Sequence, residues 1–319
     1  MSRQRLIHAV FLLALPLIVA GFGLSLFSAV LLVLAGLAWR QAILLSALME
    51  PPAGPQLELE TIQNSHFVER ARWCLDRLGV DYVEKPMGGV IGVFFRGRTV
   101  PMLTVRTGRT RSSICDSSHI LRYLYGRFVA ERPEQAAFLE PTPERLDWER
   151  RLDGYGVQLQ VWVYHHLLKD PAKCKEAWGA NSAVLPAWQR WTILALYPVL
   201  EMFIRRAFQP DEEHYGRAME QIEKVLGDAE SLLADGRQTL LGGDAPDFID
   251  LTLASLSSLW SWPENFAAGR YAADRPPVRE LPYGLRVDAE RWRERFPAAA
   301  AHIDRLYREE RQARAAPRA

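Results

Sequence analysis

Thr99-Val100-Pro101-Met102-Leu103, followed further on by Ile114-Cys115-Asp116-Ser117-Ser118-His119-Ile120-Leu121-Arg122-Tyr123-Leu124, is the stretch on which the reading of this chain turns. A proline directly before alternating apolar residues removes a backbone donor where a central strand needs one, so the segment calls for a special local backbone. The second piece joins a β-type run to a helical apolar spacing, with Asp116 and Ser117 at the junction. A helix start that carries polar residues is a ready anion site.

Working outward, Leu57 to Ile62 alternates strictly and reads as a half-buried strand. Asn64 and Ser65 are cap-type residues before a helix in which Phe67, Ala71, Cys74, Leu75 and Leu78 share one face, and Gly79 ends it. On that apolar face Cys74 reads as core. Asp81 to Lys85 is a second strand candidate, and the glycine-rich Gly88 to Arg98 carries no assigned element. Met102 to Val105 and Thr110 to Cys115 flank Gly108-Arg109, which predicts a hairpin with a tight turn.

At 319 residues, 49% hydrophobic and 24% charged, the chain is long enough for two globular units and a further segment. A formal charge of +1 gives no reason to expect nucleic acid as a partner. Cys74, Cys115 and Cys174 form no paired motif, so neither a disulfide framework nor a zinc site is signalled, and a reducing compartment fits. The further segment is the uncharged, apolar run from Leu6 to Trp39, with Arg3 and Arg5 before it and Arg40 after it. As one helix it would be about 50 Å long, well beyond a hydrocarbon core of about 30 Å. A transmembrane hairpin turning near Gly21 to Gly23, with both ends on the cytoplasmic side, removes the excess. A single span over Leu24 to Leu48 or Leu6 to Leu26, with the rest in the interface, is the alternative. A cleaved signal peptide fits less well, because the apolar run is far longer than an h-region.

The expected organisation is thus a membrane anchor over residues 1–50 that contacts the bilayer through 6–48, a proline-rich linker over 51–56, an α/β domain over 57–130, an all-helical domain over 143–312 and a disordered tail over 313–319. In the helical half, Leu146 to Lys169, Leu185 to Phe208, Glu212 to Ala234, Asp247 to Trp262 and Arg291 to Gln312 carry helical apolar spacing. Asp247 and Asp250 stand where a capping box would start a buried helix. Tyr164-His165-His166 lacks partners at ligand spacing and is not read as a metal site. The many tryptophans of this half fit a core, an apolar pocket or a membrane interface. The arginine-rich tail from Arg305 suits weak attraction to anionic lipid.

The order strand, helix, strand, irregular helix, strand, hairpin, strand and helix, with a residue-proline step at the third strand, resembles the thioredoxin-like domain of the glutathione transferase superfamily. Asn64-Ser65-His66-Phe67 resembles that family's Ser-Pro-Phe helix start, Val100-Pro101-Met102-Leu103 its Val-Pro-x-Leu strand, and Asp116-Ser117-Ser118-His119-Ile120-Leu121-Arg122-Tyr123-Leu124 its Glu-Ser-x-x-Ile-x-x-Tyr-Leu signature. Leu240 to Ala254 resembles the capped helix of its helical domain. The resemblance covers Leu57 to Leu124 and, more loosely, Pro143 to Glu310. The fold implied is a thioredoxin-like α/β domain followed by an all-α bundle, here preceded by the expected transmembrane helical hairpin.

That resemblance implies glutathione as co-substrate. It implies Ser65 as the hydroxyl that steadies the thiolate, a cis Pro101, main-chain pairing of Val100 with the cysteinyl backbone, and Asp116 and Ser117 as holders of the γ-glutamyl end. Bare capping by Ser65, Asp116 or Ser117 is the competing reading of the same residues. His66 stands where the family has proline, and Asp116 where it more often has glutamate. No cysteine lies in the Asn64 to Phe67 turn, which disfavours the thiol-exchange branches. The function expected is a membrane-anchored transferase, on the inner or plasma membrane and facing the cytoplasm. It would join the glutathione thiolate to an electrophilic, apolar substrate, as a homodimer like its relatives. A membrane-tethered adaptor that keeps the scaffold without catalysis is the alternative.

Overall fold

Leu26–Met49 (α1) is one continuous 24-residue helix in the structure, a computed structural model that describes residues 25–49, 56–89, 100–107, 110–272 and 275–311. Phe27, Val30, Leu31, Leu34 and Leu37 are exposed along it. The expected transmembrane hairpin finds no support. Its turn near Gly21 to Gly23 and its first arm lie outside the described residues, and among those no helix is long and apolar enough to cross a membrane. Within α1, Arg40 and Gln41 interrupt the apolar run that the sequence carries from Leu6 to Trp39. The linker also lies largely outside the described residues, as does the expected tail. α1 and residues 106–111 fall in one compact unit, and the remainder from residue 56 onward in a second.

In the second unit, β1 (Gln56–Thr61) buries Leu57 and Leu59 as its alternation predicts. α2 (His66–Arg77) follows, and β2 (Val83–Pro86) pairs parallel to β1 with Glu58 opposite Val83 and Thr61 opposite Pro86. β3 (Met102–Thr107) and β4 (Thr110–Cys115) complete a sheet in the order β2-β1-β3-β4. Gly108 and Arg109, where the tight turn was expected, lie outside the described residues, as does most of the Gly88 to Arg98 segment. α3 (Ser117–Phe128) closes the α/β part. Cys74 lies fully buried in the core, where burial pushes its thiol up to about 12.

A short turn, α4 (Pro133–Ala136), leads into the helical half: α5 (Pro143–Leu167), α6 (Pro171–Ala177), α7 (Ala187–Phe208), α8 (Glu212–Leu233), α9 (Phe248–Ser261), α10 (Tyr283–Arg295) and α11 (Pro297–Glu309). The capping box at α9 is present: Asp247 accepts from the Ile249 amide at 2.7 Å, and Asp250 accepts from the Asp247 amide at 3.0 Å. α9 is buried on nearly every face and forms the axis of this half. The single helix expected from Arg291 to Gln312 is two, because Pro297 cannot donate into a continuing helix and instead opens α11 after the non-helical Phe296. Tyr164-His165-His166 is taken up by packing. The Asp288 carboxylate lies 3.2 Å from His166 Nε2 and accepts from Trp162 Nε1 and the Tyr215 hydroxyl. Trp148, Trp162, Trp178 and Trp260 are core, whereas Trp188 and Trp191 are exposed.

Candidate active site

The sequence around Ser65 fixes the start of α2. Ser65 adopts extended backbone, its amide donates to the Ile62 carbonyl at 3.1 Å, and its Oγ accepts from the Val68 amide at 3.4 Å. Accepting that bond satisfies one orphan amide of the helix and leaves the hydroxyl proton free to donate elsewhere. The α2 N-terminus adds its partial positive charge at the same point.

His66 turns away from this role. It is buried, and its Nε2 proton is donated to the Gly156 carbonyl of α5 at 2.9 Å, which places the proton on Nε2. Burial pushes its pKa down, an effect the Gly156 bond only partly offsets, to about 4, so the ring is neutral and brings no charge to Ser65. Gly156 is small for a reason: a Cβ there would lie 2.7 Å from Phe67 Cζ and 3.1 Å from Leu256 Cδ2. The glycine lets α5 approach the turn that carries Ser65.

The Val100–Pro101 peptide is cis. Its neighbour in space is the start of α3, since the Asp116 amide donates to the Pro101 carbonyl at 3.2 Å. Asp116 has φ +76°, a left-handed conformation that costs a non-glycine residue and here turns the chain from β4 into α3. Its Oδ1 accepts from the Ser118 amide at 2.8 Å, and its second oxygen remains at the exposed edge of the site. Ser117 is buried and its Oγ accepts from Arg70 Nη1 at 3.4 Å.

Ser65, Val100, Pro101, Asp116 and Ser117 all line one cavity of about 700 Å³, which the sequence alone could not establish. Ile62, Asn64, His66, Phe67 and Gly89 complete the α/β side, and the opposite wall comes from the helical half and is mostly apolar, including Val163, Leu167, Trp178, Phe208, Trp262 and Leu285. Polar groups are few. Lys173 reaches across to the Glu280 carbonyl at 2.6 Å, and Asn64 Oδ1 is buried at the wall with no hydrogen-bond partner among the described residues. The cavity volume lies well inside the range of small-molecule sites.

Residues the sequence reading missed stand behind this surface. The Arg70 guanidinium is fully buried and donates to Ser117, Ser118, Asp153 and Glu149, while Ser118 donates to Asp153 at 2.9 Å and Arg122 also pairs with Glu149. This network ties the Asp116–Ser117 turn to α5. The pairs are separated by tens of residues, so no spacing rule announces them.

Residues 59–132 match the family model described as glutathione S-transferase, N-terminal domain. Over these residues the chain is similar to a glutathione S-transferase N-terminal domain. Among curated proteins none matches the chain. Among solved structures, a glutathione S-transferase from Methylobacterium radiotolerans in complex with glutathione sulfonate is similar at 18% identity, with a TM-score of 0.49 and coverage of 83% of this chain and 96% of that one. A glutathione S-transferase from Methylobacillus flagellatus with glutathione bound is similar at 13% identity and TM-score 0.48, covering 80% and 97%. A maleylacetoacetate isomerase from Anaeromyxobacter dehalogenans, with bound dicarboxyethyl glutathione and citrate, gives 17% identity and TM-score 0.41, covering 83% and 98%.

Proposed function

We propose that this chain is a glutathione transferase-like enzyme that joins the glutathione thiolate to an electrophilic, apolar small molecule. The observation that carries the proposal is the convergence of the Ser65 hydroxyl, the Val100–Pro101 main chain and the Asp116–Ser117 turn on one cavity with an apolar far wall. The donor set fits the tripeptide. Asp116 offers a carboxylate to its ammonium, while the Ser117 hydroxyl and the first amides of α3 suit its α-carboxylate. Val100 lies where an extended peptide can pair with main chain. Ser65 donates its hydroxyl proton to the sulfur, and the α2 N-terminus favours the thiolate over a thiol of reference pKa near 8.5. The thiol proton leaves to solvent, the thiolate lone pair forms the new carbon–sulfur bond, and the bond broken on the electrophile gives its electron pair either to a leaving group that departs as an anion or, in an activated alkene, to the neighbouring carbon, which takes a proton from solvent.

Calorimetry with glutathione and conjugation of a generic aromatic electrophile test this. A hydrogen bond to a charged group contributes about 1.5–3 kcal/mol, so Ser65→Ala lowers turnover about 10- to 100-fold at neutral pH while changing glutathione affinity much less. Unchanged turnover removes Ser65 from the mechanism. The second reading, a non-catalytic adaptor, draws on the capping bond that Ser65 already makes and on the neutral His66 in place of proline. Absence of any binding heat at millimolar glutathione decides for it. Attachment to a bilayer through residues 6–48, with the globular part facing the cytoplasm, is a separate proposal that rests on the uncharged run from Leu6 to Trp39 and its flanking arginines. A carbonate-resistant membrane fraction tests it. A homodimer is likewise proposed, with sedimentation as its test.

A further inference from the structure

α7 is apolar on the wrong side. Its inner face, Ile193, Tyr197, Leu200 and Ile204, packs into the helical half as expected. Its outer face should then be polar, yet Trp188 is 57% exposed, Trp191 70% and Met202 57%, with Leu194, Leu196 and Val199 exposed between them. At 100° per residue Trp188, Trp191, Ala195, Val199 and Met202 form one line on the side opposite Ile193 and Leu200. Arg206 lies five turns beyond Trp188 on the same line, and Arg205 sits beside it.

We propose that this outer face rests on an anionic lipid surface as an interfacial helix lying parallel to it. A second copy of the chain is a poor occupant. The line from Trp188 to Met202 is about 21 Å long and about 10 Å wide, on the order of 200 Å², whereas a stable interface takes about 800 Å² from each partner. A bilayer needs no complementary pocket and accepts a narrow convex stripe. The residue types agree with it. Tryptophans suit the headgroup level, and the arginine end complements lipid phosphates. The inference is independent of glutathione chemistry and of the proposed attachment through residues 6–48.

The test reads α7 alone, because the apolar N-terminal segment could bind vesicles by itself. The full chain carries Met202→Cys in a Cys115→Ser background, labelled with an environment-sensitive fluorophore, and a matched protein carries Glu220→Cys on α8. Vesicles of phosphatidylcholine and phosphatidylglycerol, with and without nitroxide-labelled lipid, are the probe. The expected result is a blue shift and at least twofold nitroxide quenching at position 202 and neither at 220, with Trp191→Glu or Arg206→Glu reducing the quenching severalfold. Equal exposure of both labels to aqueous iodide in the presence of vesicles overturns the proposal. So does protection of position 202 without lipid: concentration dependence then assigns the face to a second copy, and its lack assigns the face to another segment of the same chain.

Discussion

His66 supplies a prediction whose size comes from its surroundings. The buried ring has its pKa pushed down by burial, against the Gly156 bond, from 6.5 to about 4. Above about pH 6.5 neither the folded nor the unfolded chain protonates it, and stability is unaffected. Between about 6.5 and 4 the unfolded chain takes up a proton that the folded one refuses, so stability falls as the pH falls. Below about 4 both states bind it and the loss is complete, at about 3 kcal/mol in full, of which about 2 kcal/mol falls between pH 7 and pH 5. His66→Gln keeps an amide proton for the Gly156 carbonyl and removes the titration. Urea unfolding of both proteins at pH 7 and pH 5 gives the comparison: acidification should cost the parent about 2 kcal/mol more than the variant. Other carboxylates and histidines titrate in both proteins and cancel. Parallel losses would refute the neutral buried ring, and with it the account of why His66 adds no charge beside Ser65.

Arg311→Gln takes one of two cations from buried Glu69 and Asp76, which keep Arg72 and Arg270, and should cost up to about 3–5 kcal/mol in urea unfolding; a loss below about 1 kcal/mol would show that the Arg311 pairs are exposed in solution. Gly156→Ala sets a methyl against Phe67, an overpacking cost of about 1–3 kcal/mol that helix propensity offsets by about 1 kcal/mol. It should also lower conjugation turnover by shifting the Ser65 turn, and a fully active, more stable variant would count against that close approach. Asp250→Ala strips the acceptor of the Leu240 and Asp247 amides and the partner of His302, all buried. Its expected cost is about 2–4 kcal/mol by thermal or urea unfolding.

What the sequence made legible was local. Period-two alternation announced β1, proline before an apolar run announced the strand after the cis peptide, and an Asp-Ser step between two periodicities announced α3. Asp247 and Asp250 announced their own capping box because its bonds join residues only a few places apart. The break between α10 and α11 escaped because Trp292, Phe296, Ala299, Ala300 and Ile303 keep helical spacing across it, and a proline at a first helical position does not disturb that pattern. α6 was missed although Asp170-Pro171 is a cap and first-turn pair, being too short to show a period. Arg311 was read within the last expected helix, as part of an arginine-rich stretch suited to lipid, yet it is 2% exposed. Its partners lie on α2, at the other end of the second unit's sequence, and nothing local records that.

α2 shows most clearly how the site depends on distant sequence. Its apolar face was read correctly, but Glu69, Arg70 and Arg72 are buried too, and burying a helix on its charged side is unfavourable unless each charge is answered. Each is. Arg70 meets Glu149 and Asp153 from α5, and Arg72 meets Glu84 on β2 at 3.0 Å. Glu69 accepts from the Ala267 amide at 3.0 Å and from Arg311 at 2.8 Å. Burial alone would raise the Asp76 carboxyl, and the Arg311 and Arg270 guanidiniums more than reverse that, holding it below the usual carboxylate range. The first turn of α2, where Ser65 meets the cavity, is therefore held by residues from the sheet, from α5, from the segment after α9 and from beyond α11. Residues 59–132 expressed alone would keep the Arg72 pair with Glu84 but would take Glu149 and Asp153 from Arg70, Arg311 from Glu69, and Arg311 and Arg270 from Asp76, so the stretch that carries the family match is not sufficient to set the Ser65 hydroxyl against Val100 and Asp116; the helical half does that.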